Sequence, residues 1–198
     1  MYLSQLSLDR LDRRIMRTLS DIYLLHQFVM SGFAAYDRLS RVLFRVEPEM
    51  KDDIVRLLVQ SSQMPCWERS APIIVSPPRV FSPKFREGAK FRFRLRSNPA
   101  VKRDGKRLGL VRDDALVGWL KQREKMIGIA ILSVLAIDEG YVTGMRKKEK
   151  QKDHVNIKIA RFEGILEVTD PECLNKALAE GIGPAKGFGC GLLSLARA

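Results

Sequence analysis

Five glycines fall in eleven positions near the end of the chain: Gly181, Gly183, Gly187, Gly189 and Gly191. An apolar run from Leu192 to Ala196 follows them. Glycine lets a backbone take positive φ and come close to a partner. A helix C-cap followed by a tight turn would use one or two such residues. This density predicts a loop built for close approach, followed by a final strand. One lysine, Lys186, lies among the glycines. A loop of this kind can turn its N–H groups toward a phosphate, and a lysine adds charge there.

The charge balance of the chain fits a phosphate partner. The 198 residues carry a net charge of +12, and the surplus is uneven. Residues 1–83 hold 11 basic and 9 acidic side chains, whereas residues 84–198 hold 24 and 14. A basic half is the electrostatic footprint of a polyanion-binding surface. With 45% hydrophobic residues the chain can bury a sizeable core, and its length suits one large domain or two small ones. Cys66, Cys173 and Cys190 are odd in number and widely spaced. They predict neither a disulfide framework nor a zinc site, but small buried thiols in a reducing cytoplasm. No signal peptide is expected, since the N-terminus is a short mixed-polarity segment followed by charge, and no membrane span, because no uninterrupted apolar run approaches ~18 residues.

The pattern along the chain reads as mixed helix and strand. Met1–Leu8 is a loosely patterned strand. Ile15–Met30 reads as helix, broken near Ser20-Asp21, where either residue could cap. Val42–Glu47 and Ile54–Gln60 read as strands joined by a turn, residues 61–79 as irregular, and Arg79–Ser82 as a short strand. Lys90–Arg96 alternates strictly, with Phe91, Phe93 and Leu95 on one side and Lys90, Arg92, Arg94 and Arg96 on the other. Residues 101–107 form a basic turn, and Arg112–Met126 an amphipathic helix. Ala130–Gly144 and Val155–Val168 are extended, joined by a charged connector over 146–152. Pro171–Glu180 is a helix with Pro171 in its first turn. The fold class expected is α+β: two tandem ferredoxin-like (RRM-type) βαββαβ domains, residues 1–83 and 84–198.

Few residues invite catalysis. Of the two histidines, His154 begins a strand after the lysine-rich connector and reads as a surface residue. His26 lies three residues after Tyr23, so the two share a helix face. A phenol and an imidazole presented together could serve RNA cleavage, in which the ribose supplies its own nucleophile. A packed helix histidine with a satisfied hydrogen bond explains the same spacing. No H-E-x-x-H, Walker or G-x-S-x-G element occurs and the carboxylates are scattered, so no metal site and no cofactor are expected.

Several runs together carry a resemblance. They are Met1-Tyr-Leu-Ser4, Asp21-Ile-Tyr-Leu-Leu-His26, Val42-Leu-Phe-Arg45 and Phe93-Arg-Leu-Arg-Ser-Asn-Pro99 leading into Val101–Arg107. Gly183-Pro-Ala-Lys-Gly-Phe-Gly-Cys-Gly-Leu-Leu-Ser-Leu-Ala196 completes them. With these the whole chain resembles the CasE family, the repeat-processing endoribonucleases of type I-E CRISPR systems. The resemblance implies tandem ferredoxin-like domains and metal-independent cleavage of CRISPR precursor RNA at the 3′ base of the repeat stem-loop. It implies 5′-hydroxyl and 2′,3′-cyclic phosphate ends, and retention on the guide as a Cascade subunit. The family's catalytic histidine falls on His26 and its tyrosine on Tyr23. A departure follows: Gln27–Phe33 lacks the basic residue that some relatives carry there, leaving Arg38 and Arg41 as substitutes.

The expected partners are the repeat hairpin RNA and other Cascade subunits, with no membrane and a monomer when isolated. RNA contacts are expected from Arg92, Arg94 and Arg96, from Lys102, Arg103, Lys106 and Arg107, and from Arg146, Lys147, Lys148, Lys150 and Lys152. Lys186 with Gly183, Gly187, Gly189 and Gly191 completes the set. A non-catalytic hairpin-RNA-binding subunit of a guide ribonucleoprotein is the alternative reading.

Overall fold

The computed structural model describes residues 1–33, 41–48, 52–67, 74–103, 105–148 and 151–198. They form two compact units. The first comprises Met1–Ser82 with Val142–Asn156 and Gly187–Gly189; the second comprises Pro83–Tyr141, Ile157–Lys186 and Cys190–Ala198. Two stretches of the C-terminal half therefore group with the N-terminal unit.

In the first unit β1 (Tyr2–Asp9) is the central strand. It pairs antiparallel with β3 (Ile54–Ser61) from Tyr2↔Ser61 to Asp9↔Ile54. β2 (Val42–Val46) lies on the far side of β3. β4 (Ile74–Val75) and β5 (Arg79–Val80) pair with the other edge of β1. The order β2-β3-β1-β4 is that of a ferredoxin-like sheet. β4 falls inside the stretch read from sequence as irregular; at two residues it is too short to carry a periodic signal. Helices α1 (Arg13–Ser20) and α2 (Ile22–Met30) follow β1. The expected break between them is Asp21, held extended at φ −132 while its side chain caps α2. Leu6, Leu8, Ile15, Leu25, Val29, Phe44, Leu57, Val59 and Trp67 form the core here.

The second unit repeats the order with longer strands. β6 (Lys90–Ser97) is flanked by β10 (Gln151–Val168) and β11 (Leu193–Arg197), with β9 (Ile129–Lys148) beyond β10. Residues 101–107, expected as a turn, are a small hairpin of β7 (Ala100–Arg103) and β8 (Lys106–Gly109). The connector over 146–152 is a continuation of β9 and β10, apart from residues 149–150, which lie outside the described residues. Charge masked that strand, because lysines are depleted in strands.

The single helix expected over 112–126 is two, α3 (Asp113–Lys121) and α4 (Glu124–Ile127). Gln122 caps the first, and Arg123 turns back to donate a hydrogen bond from Nη1 to the Trp119 carbonyl at 2.5 Å. α5 (Pro171–Glu180) starts at the Asp170 cap with proline in its first turn, as expected. Phe93, Leu95, Leu116, Trp119, Leu120, Phe162, Leu166, Leu174 and Leu178 fill the space between helices and sheet.

An ion pair with a buried lysine and a partly exposed aspartate ties β9 to β10. Lys158 is only 4% exposed, and its Nζ donates to both Asp138 oxygens at 2.6 Å. That hydrogen bond, seconded by the Gly140 N–H, holds the Asp138 carboxyl below its ordinary range. A depressed carboxylate stabilises the fold above the unfolded value of about 3.9, and the contribution is lost as pH falls through the lower folded value. Asp138→Ala should cost about 1–3 kcal/mol in urea unfolding at neutral pH. Asp138→Ala combined with Lys158→Met should recover most of that, because no buried ammonium is then left without a partner. The stability gap between wild type and Asp138→Ala should narrow in acid.

Candidate active site

Helix α2 divides its side chains by period. Ile22, Leu25 and Val29 recur at helical spacing and are buried. Tyr23 and His26 lie on a neighbouring face and are half-buried. Both rings meet Phe188, whose centroid is 5.0 Å from Tyr23 in an edge-on contact and 5.9 Å from His26 at a tilt of 56°. A Cβ on Gly187 would stand 3.6 Å from the His26 ring, an ordinary contact distance. A cleft of about 730 Å³ is lined by Arg17, Ser20, Asp21, Tyr23, Leu24, His26, Gln27 and Met145. Nδ1 of His26 is buried and has no hydrogen-bond partner among the described residues. The hydrogen bond that a packed histidine would make is not formed at Nδ1 among the described residues.

The start of α2 is held from two sides. Asp21 Oδ1 accepts from the Tyr23 N–H at 2.7 Å and from the Leu24 N–H at 3.3 Å. Oδ2 accepts from the backbone N–H of Met145 in β9 at 3.1 Å. Gly144 allows that approach: a Cβ there would lie 2.7 Å from Ile22 Cγ1 and 2.8 Å from Asp21 Oδ1.

The glycine loop has a closed neck. The Ile182 N–H donates to the Gly191 carbonyl at 2.9 Å, and the Gly191 N–H donates to the Arg96 carbonyl at 2.7 Å. The Ser97 hydroxyl donates to the Ile182 carbonyl at 3.2 Å. Gly183 sits at φ +82, and a Cβ would come within 2.7 Å of Ser97 Oγ and 3.0 Å of the Trp119 ring. Steric demand at this neck accounts for part of the glycine density. Lys186 opens a 3-10 turn ending at Phe188 and is half-buried.

The basic residues read from the sequence divide into different settings. Arg94 and Arg96 are paired with carboxylates, Arg94 with Glu163 at 2.7 Å and Arg96 with Glu139 at 2.6 Å. Arg161 joins both glutamates, and Lys90 lies 3.7 Å from Glu167. The outer face of this sheet is an ion-pair lattice, so the expected positive floor is largely neutralised; Arg92 on the same face is exposed. Lys102 and Arg107 are exposed and stand opposite each other across the β7–β8 hairpin, as Arg103 does with Lys106 in register. Arg146, Lys147 and Lys148 end β9, and Lys152 lies near the start of β10. Lys150 and Arg38 lie outside the described residues, and Arg41 is exposed.

The tip of the long hairpin, residues 142–156, belongs to the same compact unit as Tyr23, His26, Gly187 and Gly189. The strand arginines, the β7–β8 hairpin, Lys186, Gly183 and Gly191 belong to the other. Phe188 and the second role of Asp21 escaped sequence reading. The signal for the first was available: Phe188 is the one large side chain between Gly187 and Gly189. For the second there was none, because Asp21 and Met145 lie 124 residues apart.

Among the described residues no group of three or more His, Cys, Asp or Glu could hold a metal ion, and no helix is long and apolar enough to cross a membrane. Of the cysteines expected to be buried, Cys190 is, and burial pushes its thiol up to about 12. Cys66 is exposed, on irregular chain just past β3 where no packed layer covers it.

Residues 1–197 match the family described as CRISPR associated protein. The chain belongs to that family. It is 32% identical over 210 residues to the CRISPR-associated endoribonuclease Cse3 of Thermus thermophilus, covering 99% of this chain and 100% of the relative. It is 32% identical over 212 residues to the CRISPR system Cascade subunit CasE of Escherichia coli K12, covering 99% of each. The solved structure of CRISPR endoribonuclease Cse3 bound to 19 nt RNA superposes with a TM-score of 0.86, at 32% identity and with 100% of both chains covered. This CRISPR-associated chain thus shares the tandem ferredoxin-like fold throughout.

Two glycines should respond in opposite directions to the same substitution. Gly183→Ala is strained by φ and by packing, and should lower the unfolding free energy by about 1–3 kcal/mol. Gly118, in the interior of α3, has nothing within 4 Å of its Cβ position. Gly118→Ala should raise stability by roughly 0.5–1 kcal/mol. Urea melts of the two variants beside wild type measure both.

Proposed function

We propose that this chain is a metal-independent endoribonuclease acting on CRISPR precursor RNA in the cytoplasm. It cuts at the 3′ base of the repeat stem-loop and remains on the mature guide as a Cascade subunit. The observation that carries this reading is the pairing of Tyr23 and His26 on one face of α2, beside an open cleft, in a chain similar along its whole length to an endoribonuclease.

The chemistry needs little from the protein because the ribose holds its own nucleophile. The 2′-oxygen attacks the adjacent phosphorus as its proton leaves, the P–O5′ bond breaks, and the departing 5′-oxygen takes up a proton. The products are a 2′,3′-cyclic phosphate and a 5′-hydroxyl. His26 moves one of these two protons. Its Nδ1 is buried, and we assign the transfer to Nε2. The Tyr23 phenol hydrogen-bonds the 2′-hydroxyl or the phosphate. Phe188 limits the rotamers open to both rings, which supplies orientation without taking a proton itself.

RNA is held by the cationic hairpins. Like charges opposite each other across a hairpin destabilise it, and Lys102 and Arg107, opposed in register and both exposed, carry that repulsion. A polyphosphate relieves it. The run Arg146, Lys147, Lys148, Lys150 and Lys152 grips the base of the stem, with Lys186 and the glycine loop contributing nearby phosphate contacts. Arg94 and Arg96, already paired with glutamates, contribute less than the exposed Arg92. The N-terminal domain, residues 1–83, supplies the acid–base helix, and residues 84–198 supply most of the RNA-binding charge.

Incubation with a cognate repeat hairpin in EDTA should give one cut per repeat with a cyclic phosphate end, and His26→Ala should lower the single-turnover rate by about 100-fold or more. Equal cleavage by both proteins would remove His26 from the mechanism; tight binding without cleavage by wild type would leave a passive clamp. Hairpin affinity should fall steeply with salt, and Lys147→Ala combined with Lys148→Ala should flatten the log–log slope by about 1–2.

A further inference from the structure

A helix cap needs one carboxylate oxygen, and Asp21 uses both. Oδ1 does the capping, at the Tyr23 and Leu24 N–H groups. Oδ2 reaches a different element and accepts the Met145 N–H of β9. Gly144 lets the strand backbone come within reach of the first helical turn; its Cβ position is 3.1 Å from the Tyr23 nitrogen. The residue after Met145 is Arg146, the first of the basic run. One carboxylate therefore joins the peptide carrying Tyr23 to the peptide leading into the RNA-gripping strand.

We propose that Asp21 is a positioning residue for cleavage: its carboxylate clamps the first turn of α2 to β9 at Gly144-Met145, setting Tyr23 and His26 against the strand that holds the phosphates. This rests on the endoribonuclease reading above. Without the clamp the RNA still binds, through charge on the hairpin, but its scissile bond and the acid–base pair lose their common reference. A misplacement of about 1 Å is enough to cost roughly 100-fold in rate.

Asp21→Ser separates the two roles, because serine caps a helix well but is too short to reach Met145. Four quantities are measured on the full chain: melting temperature, affinity for a repeat hairpin with a 2′-deoxy scissile nucleotide, single-turnover cleavage at saturating protein, and hydrogen exchange at the Met145 amide. Melting and affinity should match wild type, exchange at Met145 should quicken, and the cleavage rate should fall by about 10- to 100-fold. Gly144→Ala, which opens the same contact from the strand side, should show the same quickened exchange, retained affinity and slowed cleavage, with a lower melting temperature because its methyl meets Ile22 and Asp21. The double variant should fall no more than about 2-fold below the slower single, since both break one interaction.

An Asp21→Ser rate within about 2-fold of wild type, or a rate loss matched by an equal loss of affinity, overturns the positioning role. If Asp21→Ser does not fold, the same two outcomes are read from Gly144→Ala. Wild type that binds and never cuts sinks the endoribonuclease reading itself. A cutting wild type beside an unimpaired Asp21→Ser sinks only the clamp.

Discussion

Helix α2 is nine residues long, and a helix of that length does not hold itself together in water. Everything proposed for the site depends on how it is held. Leu25 and Val29 fasten its inner face to the first unit's core, and Ile22 is buried beside Gly144. The Asp21 carboxylate fastens its first turn, and Phe188 packs against the Tyr23 and His26 rings. An imidazole on a frayed helix would sample many positions. This one is placed by a core stripe, a cap and an aromatic contact.

The cations are sorted by whether carboxylates answer them. On the outer face of the β6 sheet, Glu139, Glu163 and Glu167 meet Lys90, Arg94, Arg96 and Arg161. These pairs are partly screened by solvent and add little stability singly. Their larger effect is to cancel the field of that face. In the β7–β8 hairpin Lys102 and Arg107 stand opposite each other in register, both exposed. A polyanion is drawn to the surplus that remains, rather than to every arginine in the chain.

Much of the secondary structure was legible because its signals are local. The alternation of Phe91, Phe93 and Leu95 with basic residues gives a strand with one buried face, and Phe93 and Leu95 are indeed core. The break at Ser20-Asp21 and the proline start at Pro171 are capping chemistry, written within a few residues. Failures came where local and tertiary demands differ. The lysine-rich stretch after Gly144 looks like a loop by composition, yet pairing with the partner strand extends β9 to Lys148. The helix expected over 112–126 has apolar residues at helical spacing only as far as Leu120; beyond them Arg123 turns back on the Trp119 carbonyl where α3 ends.

The sequence by itself determined the fold class, the charge asymmetry between the halves, and the helix face shared by Tyr23 and His26. Each follows from spacing or composition within a short window, and spacing converts to geometry through fixed helical and strand periods. Tertiary structure alone decided that Phe188 packs against both rings, that Asp21 reaches Met145, and that Arg94 and Arg96 are answered by glutamates. Those contacts join residues far apart in the chain, and no periodicity relates such positions. The first two exist because the first unit draws in Val142–Asn156 and Gly187–Gly189, stretches more than a hundred residues beyond its helices.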